Sequence, residues 1–123
     1  MNTALLVIDI QQALVDDHPA NEEPFLRQVA ELIGAAHASG KEVIYVRHDG
    51  GVGDPLEQAT PGWELFSSLL PTGMERIFDK KYSSAFKETG LREYLTGRGI
   101  EQLVICGMQT EYCIDSSVKA AFE

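Results

Sequence analysis

Three places in this chain set a reactive side chain at or just past the end of a strand-like run. Asp9 follows Ala4-Leu5-Leu6-Val7-Ile8, the lysine pair Lys80-Lys81 follows Arg76-Ile77-Phe78-Asp79, and Cys113 follows Leu103-Val104-Ile105-Cys106-Gly107 and a short turn. As a unit they can do nucleophilic hydrolysis. The ammonium stabilises a thiolate, the thiolate attacks a carbonyl, and the carboxylate first accepts a proton and later activates water. Backbone N–H groups in the turn before Cys113 could hold the oxyanion. Each residue also has a plainer reading. Free cysteine is a common buried residue, an Asp after a strand often only caps the next loop, and paired lysines at a strand end are usually just solvated.

The elements around them decide between these readings. Ala4 to Ile8 is an uninterrupted apolar run, the pattern of a parallel strand buried on both faces. Asp9 then lies at the carboxyl end of a strand, where open α/β sheets bind their ligands. After Gln11 and Gln12 a polar loop is expected through Asp16, Asp17, His18 and Pro19. Asn21 with Glu22, Glu23 and Pro24 reads as a helix start, and Phe25, Leu26, Val29, Leu32, Ile33 and Ala36 recur at helical spacing until Gly40. Glu42 to Val46 is the second strand, giving a βαβ unit with a right-handed crossover.

Arg47, His48 and Asp49 open a long loop from Gly50 to Gly62, closed by Trp63. A loop of that length in a compact domain is more often functional than idle. No second His or Cys stands at ligand spacing from His48, so a satisfied or substrate-facing histidine is expected and a metal ligand is not. Trp63 to Leu70 reads as a short helix with Trp63, Phe66 and Leu70 on one face, as core or pocket wall. Arg76 to Asp79 is a third strand, less apolar and so near an edge. Thr89 can cap a helix carrying Leu91, Tyr94 and Leu95 before the fourth strand. Beyond Gly107, Ile114, Val118 and Phe122 keep helical spacing, so Cys113 sits at or near a helix start, where unpaired N–H groups and the helix dipole favour thiolate.

The whole chain fits one domain, residues 1–123, with one core. Nineteen acidic residues against ten basic ones give a formal charge of −9, which argues against nucleic acid or an anionic membrane as partner and leaves a small molecule. No apolar run approaches the roughly 20 residues of a membrane span. No basic segment precedes the first apolar run, and two cysteines make no disulfide framework, so a cytoplasmic, reduced protein is expected.

Leu6-Val7-Ile8-Asp9-Ile10-Gln11, Asp79-Lys80-Lys81-Tyr82-Ser83-Ser84-Ala85-Phe86 and Cys106-Gly107-Met108-Gln109-Thr110-Glu111-Tyr112-Cys113-Ile114 resemble the isochorismatase-like cysteine hydrolases, a superfamily that includes nicotinamidases and carbamoylsarcosine amidases. The resemblance runs along essentially the whole chain. It implies a doubly wound, Rossmann-like α/β fold with a parallel sheet in the order 3-2-1-4, and a catalytic triad of Asp9, Lys80 and Cys113. Counting back from Ser84-Ala85-Phe86 favours Lys80, with Lys81 one residue away as the alternative. It also implies a non-proline cis peptide at Met108 to Gln109, aiming the N–H groups of Gln109 and Cys113 at one oxyanion. Gln11, His48, Trp63, Tyr82 and Phe86 are the expected substrate pocket.

Members that hydrolyse the vinyl ether isochorismate generally lack the cysteine, so Cys113 implies a small amide as substrate. The nicotinamidase zinc site needs an Asp and paired histidines in the second-strand loop, and only His48 is present, so no metal and no cofactor are expected. Family members continue beyond this length, so the chain is expected to lack the C-terminal part of the domain or to complete itself as a homo-oligomer through its apolar fourth strand. Three rivals compete with this reading. A phosphoacceptor receiver domain needs a second acid beside Asp9, where Ile10 and Gln11 stand. A dinucleotide-binding module needs a G-x-G-x-x-G turn after the first strand, which is absent. A non-catalytic binding or structural relative would keep the fold but have an unreactive Cys113.

Overall fold

The computed structural model describes residues 2–16, 22–69, 71 and 75–107. Four parallel strands form one sheet in the order β3-β2-β1-β4. They are β1 (Thr3–Ile8), β2 (Glu42–His48), β3 (Ile77–Lys80) and β4 (Gln102–Gly107). Between them run α1 (Gln12–Asp16), α2 (Glu22–Ala38), a single 3-10 turn at Ser67–Leu69, and α3 (Leu91–Gly97). The doubly wound α/β fold and the strand order agree with the expectation, and the sparsely apolar β3 lies at an edge.

Alternation along the two central strands builds a core on each side of the sheet. Leu5, Val7, Val43 and Tyr45 pack with Val15, Val29, Ile33 and Leu65 on one face, under α1 and α2. Ala4, Leu6, Ile8, Ile44 and Val46 pack with Phe78, Leu91 and Leu95 on the other, under α3. Each buried Val, Leu or Ile contributes about 1.5–3 kcal/mol, which is why the buried stretches Ala4 to Ile8 and Val43 to Val46 are apolar apart from the Tyr45 hydroxyl. Gly40, in the left-handed region (φ 68), ends α2 and turns the chain into β2.

Two local expectations need correction. The stretch after Gln11 is the helix α1 rather than a loop through Asp16, because the Gln11 carbonyl accepts from the N–H groups of Leu14 and Val15 and Val15 is buried in the core. Trp63 to Leu69 holds only the 3-10 turn at Ser67–Leu69 instead of a longer helix. Gln11 pairs with Leu65 as an antiparallel bridge, and the Phe66 N–H binds the Ile10 carbonyl, so this backbone lies along the end of β1. The N-cap assigned to Asn21, and Leu70, lie outside the described residues. The N-cap of α3 is Gly90 (φ 77) rather than the expected Thr89, whose hydroxyl, one residue earlier, accepts the Leu91 N–H at 3.2 Å. Among the described residues, no helix is long and apolar enough to cross a membrane.

Candidate functional site

The site is assembled where β1, β2 and β3 end. Asp9 donates its N–H to the Val46 carbonyl (2.9 Å) and then leaves the strand with φ 60, a left-handed conformation that Asp tolerates better than most residues. That reversal keeps its side chain inside the protein, where Asp9 is 3% exposed. Lys80, the last residue of β3, lies on the same sheet face as Phe78 and is 1% exposed. Its Nζ stands 3.3 Å from Asp9 Oδ2. It also donates to the carbonyls of Tyr82 and Ser83, each at 3.2 Å, so all three ammonium donors have acceptors. A buried ion pair offsets its desolvation only with such extra partners. Lys81 is exposed and makes no part of this pair.

β2 contributes the third wall. His48 is paired in register with Lys80, so the two side chains project from one face of adjacent strands. Burial, and next the Lys80 charge, push the His48 imidazole below its ordinary pKa, while Asp9, Asp54 and Asp49 pull weakly the other way. A neutral ring is favoured. Its Nδ1 is buried and has no hydrogen-bond partner among the described residues.

Gln11 is placed under the site rather than open to it. Its carboxamide accepts from the His48 N–H (2.9 Å) and donates to the carbonyls of His48 (3.0 Å) and Trp63 (2.8 Å). Where β1 has already turned away, this side chain acts as a surrogate peptide group and continues the ladder along β2. Trp63 stacks under the Arg47 guanidinium, 3.6 Å from ring centroid to Cζ, and its indole N–H binds Asp79 (3.1 Å). Arg47 also grips Asp79 through two nitrogens and Glu64 through a third. The sequence pointed to neither this network nor the bracing part of Gln11. The available signal was a fully buried amide, which must find partners.

Tyr82 is exposed on the rim with the Lys87 ammonium 4.0 Å above its ring, and Phe86 is half-buried. An open cleft of about 530 Å³ lies beside the strand ends, bordered by Asp49, Glu57 and Lys81. Gly62 closes the loop because a Cβ there would sit 2.4 Å from the Pro55 carbonyl oxygen. β4 brings the chain to Gly107, in register with Ile8 and so level with Asp9. Met108, Gln109 and Cys113, with the expected cis peptide, lie outside the described residues. Among the described residues, no group of three or more His, Cys, Asp or Glu could hold a metal ion. Cys106 is a free thiol that burial pushes up to about 11.

Residues 3–123 match the family described as "Isochorismatase domain". The chain is 34% identical over 120 residues to a streptothricin hydrolase of Streptomyces noursei, covering 96% of the chain and 48% of that protein. It is 28% identical over 158 residues to a ureidoacrylate amidohydrolase of Acinetobacter baylyi, covering 98% of the chain and 64% of that protein. The crystal structure of a cysteine hydrolase from Pseudomonas syringae superposes with a TM-score of 0.85 at 25% identity, over 98% of the chain and 66% of that structure. The chain thus spans about half to two thirds of the length of these relatives.

Proposed function

From the premise that this chain belongs to the isochorismatase domain family, we propose that it is a cysteine-dependent hydrolase of a small amide-type C–N bond, working through a thioester with Asp9, Lys80 and Cys113. The observation that carries the reading is the buried ion pair of Asp9 and Lys80 at 3.3 Å, at the carboxyl ends of β1 and β3. A charged pair sunk at a strand-end crevice costs desolvation that a structural role alone would not demand. Kinship with an amidohydrolase and a cysteine hydrolase supports the choice of bond and of nucleophile.

In the proposed cycle, Asp9 takes the Cys113 thiol proton and the sulfur attacks the amide carbon. The N–H groups of Gln109 and Cys113 receive the oxyanion. As the C–N bond breaks, Asp9 gives its proton to the departing nitrogen and a thioester remains. Asp9 next takes a proton from water, the resulting hydroxide attacks the thioester, and the acid leaves as that proton returns to sulfur. Lys80 supplies positive charge throughout and, with its three donors committed, does so without moving. Ammonia release from a panel of small primary amides, ureas and carbamates tests this. Turnover that disappears on alkylation of Cys113 is expected. No turnover of any member, with Cys113 alkylating as slowly as a buried thiol, would instead make the chain a non-catalytic binding relative.

A further inference from the structure

The proposed cycle uses Asp9, Lys80 and Cys113 and leaves without work one polar group beside the Asp9–Lys80 pair. His48 is the register partner of Lys80 on the same sheet face. Among the described residues its buried Nδ1 has no hydrogen-bond partner, a costly state for a polar atom. The backbone that carries the ring is also held in place, since the Gln11 carboxamide binds both the N–H and the carbonyl of His48. An unsatisfied polar atom on a braced strand end, next to a charged pair, is what a site shows when a ligand completes its hydrogen bonds.

We infer that His48 is a specificity-determining residue whose Nδ1 hydrogen-bonds a second polar group of the substrate, selecting small amides that carry a hydroxyl or amine beside the scissile carbonyl over apolar isosteres. The inference rests on the hydrolase reading above. Burial and the Lys80 charge, which outweigh Asp9, Asp54 and Asp49, keep the ring neutral. A neutral imidazole has one donor and one acceptor nitrogen, and a hydroxyl can meet either. The assignment therefore does not depend on tautomer.

The test compares ammonia release from lactamide and isobutyramide, which differ by a hydroxyl in place of a methyl beside the carbonyl. The full-length protein and three variants are used. The wild type should prefer lactamide in kcat/KM by roughly ten-fold, the worth of one hydrogen bond that would otherwise be lost. His48→Phe should erase the preference. His48→Asn, whose carboxamide reaches the level of Nδ1, should keep most of it. His48→Gln, whose carboxamide reaches the level of Nε2, should not, and it serves as the check that a polar replacement is folded. Equal rates on the two amides in the wild type, or a preference that survives His48→Phe, would overturn the inference and leave Nδ1 to an ordered water. A wild type active on other amides but not on lactamide would overturn it too. A wild type inactive on every amide, urea and carbamate would instead remove the hydrolase reading, and this inference with it.

Discussion

Asp9 combines a carboxylate with a left-handed backbone, and the two properties separate in mutants. Asparagine is among the few residues that accept φ 60, so Asp9→Asn keeps the backbone while removing the base. It should lower turnover of a confirmed amide about 10²- to 10⁴-fold, measured as kcat/KM, while circular dichroism stays native. Near-full turnover would sink the triad. Asp9→Ala is the poorer probe, since it adds a backbone penalty of roughly 1–2 kcal/mol. His48 carries a pH signature. Its folded pKa lies below 6.5, so between that value and 6.5 the unfolded chain binds the extra proton. Stability at His48 is therefore complete above about 6.5 and is lost as pH falls through the folded value. Melting temperatures from neutral pH down to about 5 should fall less steeply for His48→Asn than for the wild type. Parallel slopes would contradict this. The burial of Asp9 was legible in the sequence because five apolar residues precede it. The burial of Lys80 rather than Lys81 was legible too, since strand alternation puts Lys80 on the face of Phe78 and Lys81 beyond the strand.

At the scale of elements, β1, β2 and α2 could be read from apolar runs and helical spacing because each buries its own pattern, and β3 and β4 from shorter apolar runs that are only partly covered. The segments that failed were those shaped by partners distant in sequence. α1 has too few residues to display a period, and it forms because Val15 meets the core and Gly62 and Glu64 carbonyls meet the N–H groups of Ala13 and Gln12. The stretch from Trp63 shows a helical spacing of aromatics, yet bridging to Gln11 and the stacking of Trp63 on Arg47 win over local propensity. These contacts make Gln11 a structural residue in a functional neighbourhood. Gln11→Met keeps the bulk but strips three part-buried backbone groups of their partner, at up to about 1–3 kcal/mol for each one left unsatisfied. Urea denaturation should show a midpoint clearly below wild type, with α/β circular dichroism retained before the transition. An unchanged midpoint would show that water replaces the carboxamide.

For the whole molecule, the reactive groups gather at one end of the sheet while the edges behave differently. β3 is short and Arg47 and Lys80 hold its end, whereas β4 pairs only with β1 among the described residues and leaves Val104 44% exposed. An apolar strand at an edge seeks another strand, so the isolated 123-residue chain should form dimers or larger species by light scattering at high concentration. A clean monomer would count against the homo-oligomer. Cys106, inside β4 with its thiol raised to about 11 by burial, should react with iodoacetamide at neutral pH far more slowly than a free thiol near 8.5. The Gln11 brace also gives the molecule a built-in clock. The His48 amide proton is guarded by a side chain instead of a strand, so it can exchange with solvent water only when β1, β2 and the Trp63 loop come apart at that one joint. Its deuterium uptake would time the opening of the strand-end site separately from the unravelling of the core, whose amides wait for global unfolding.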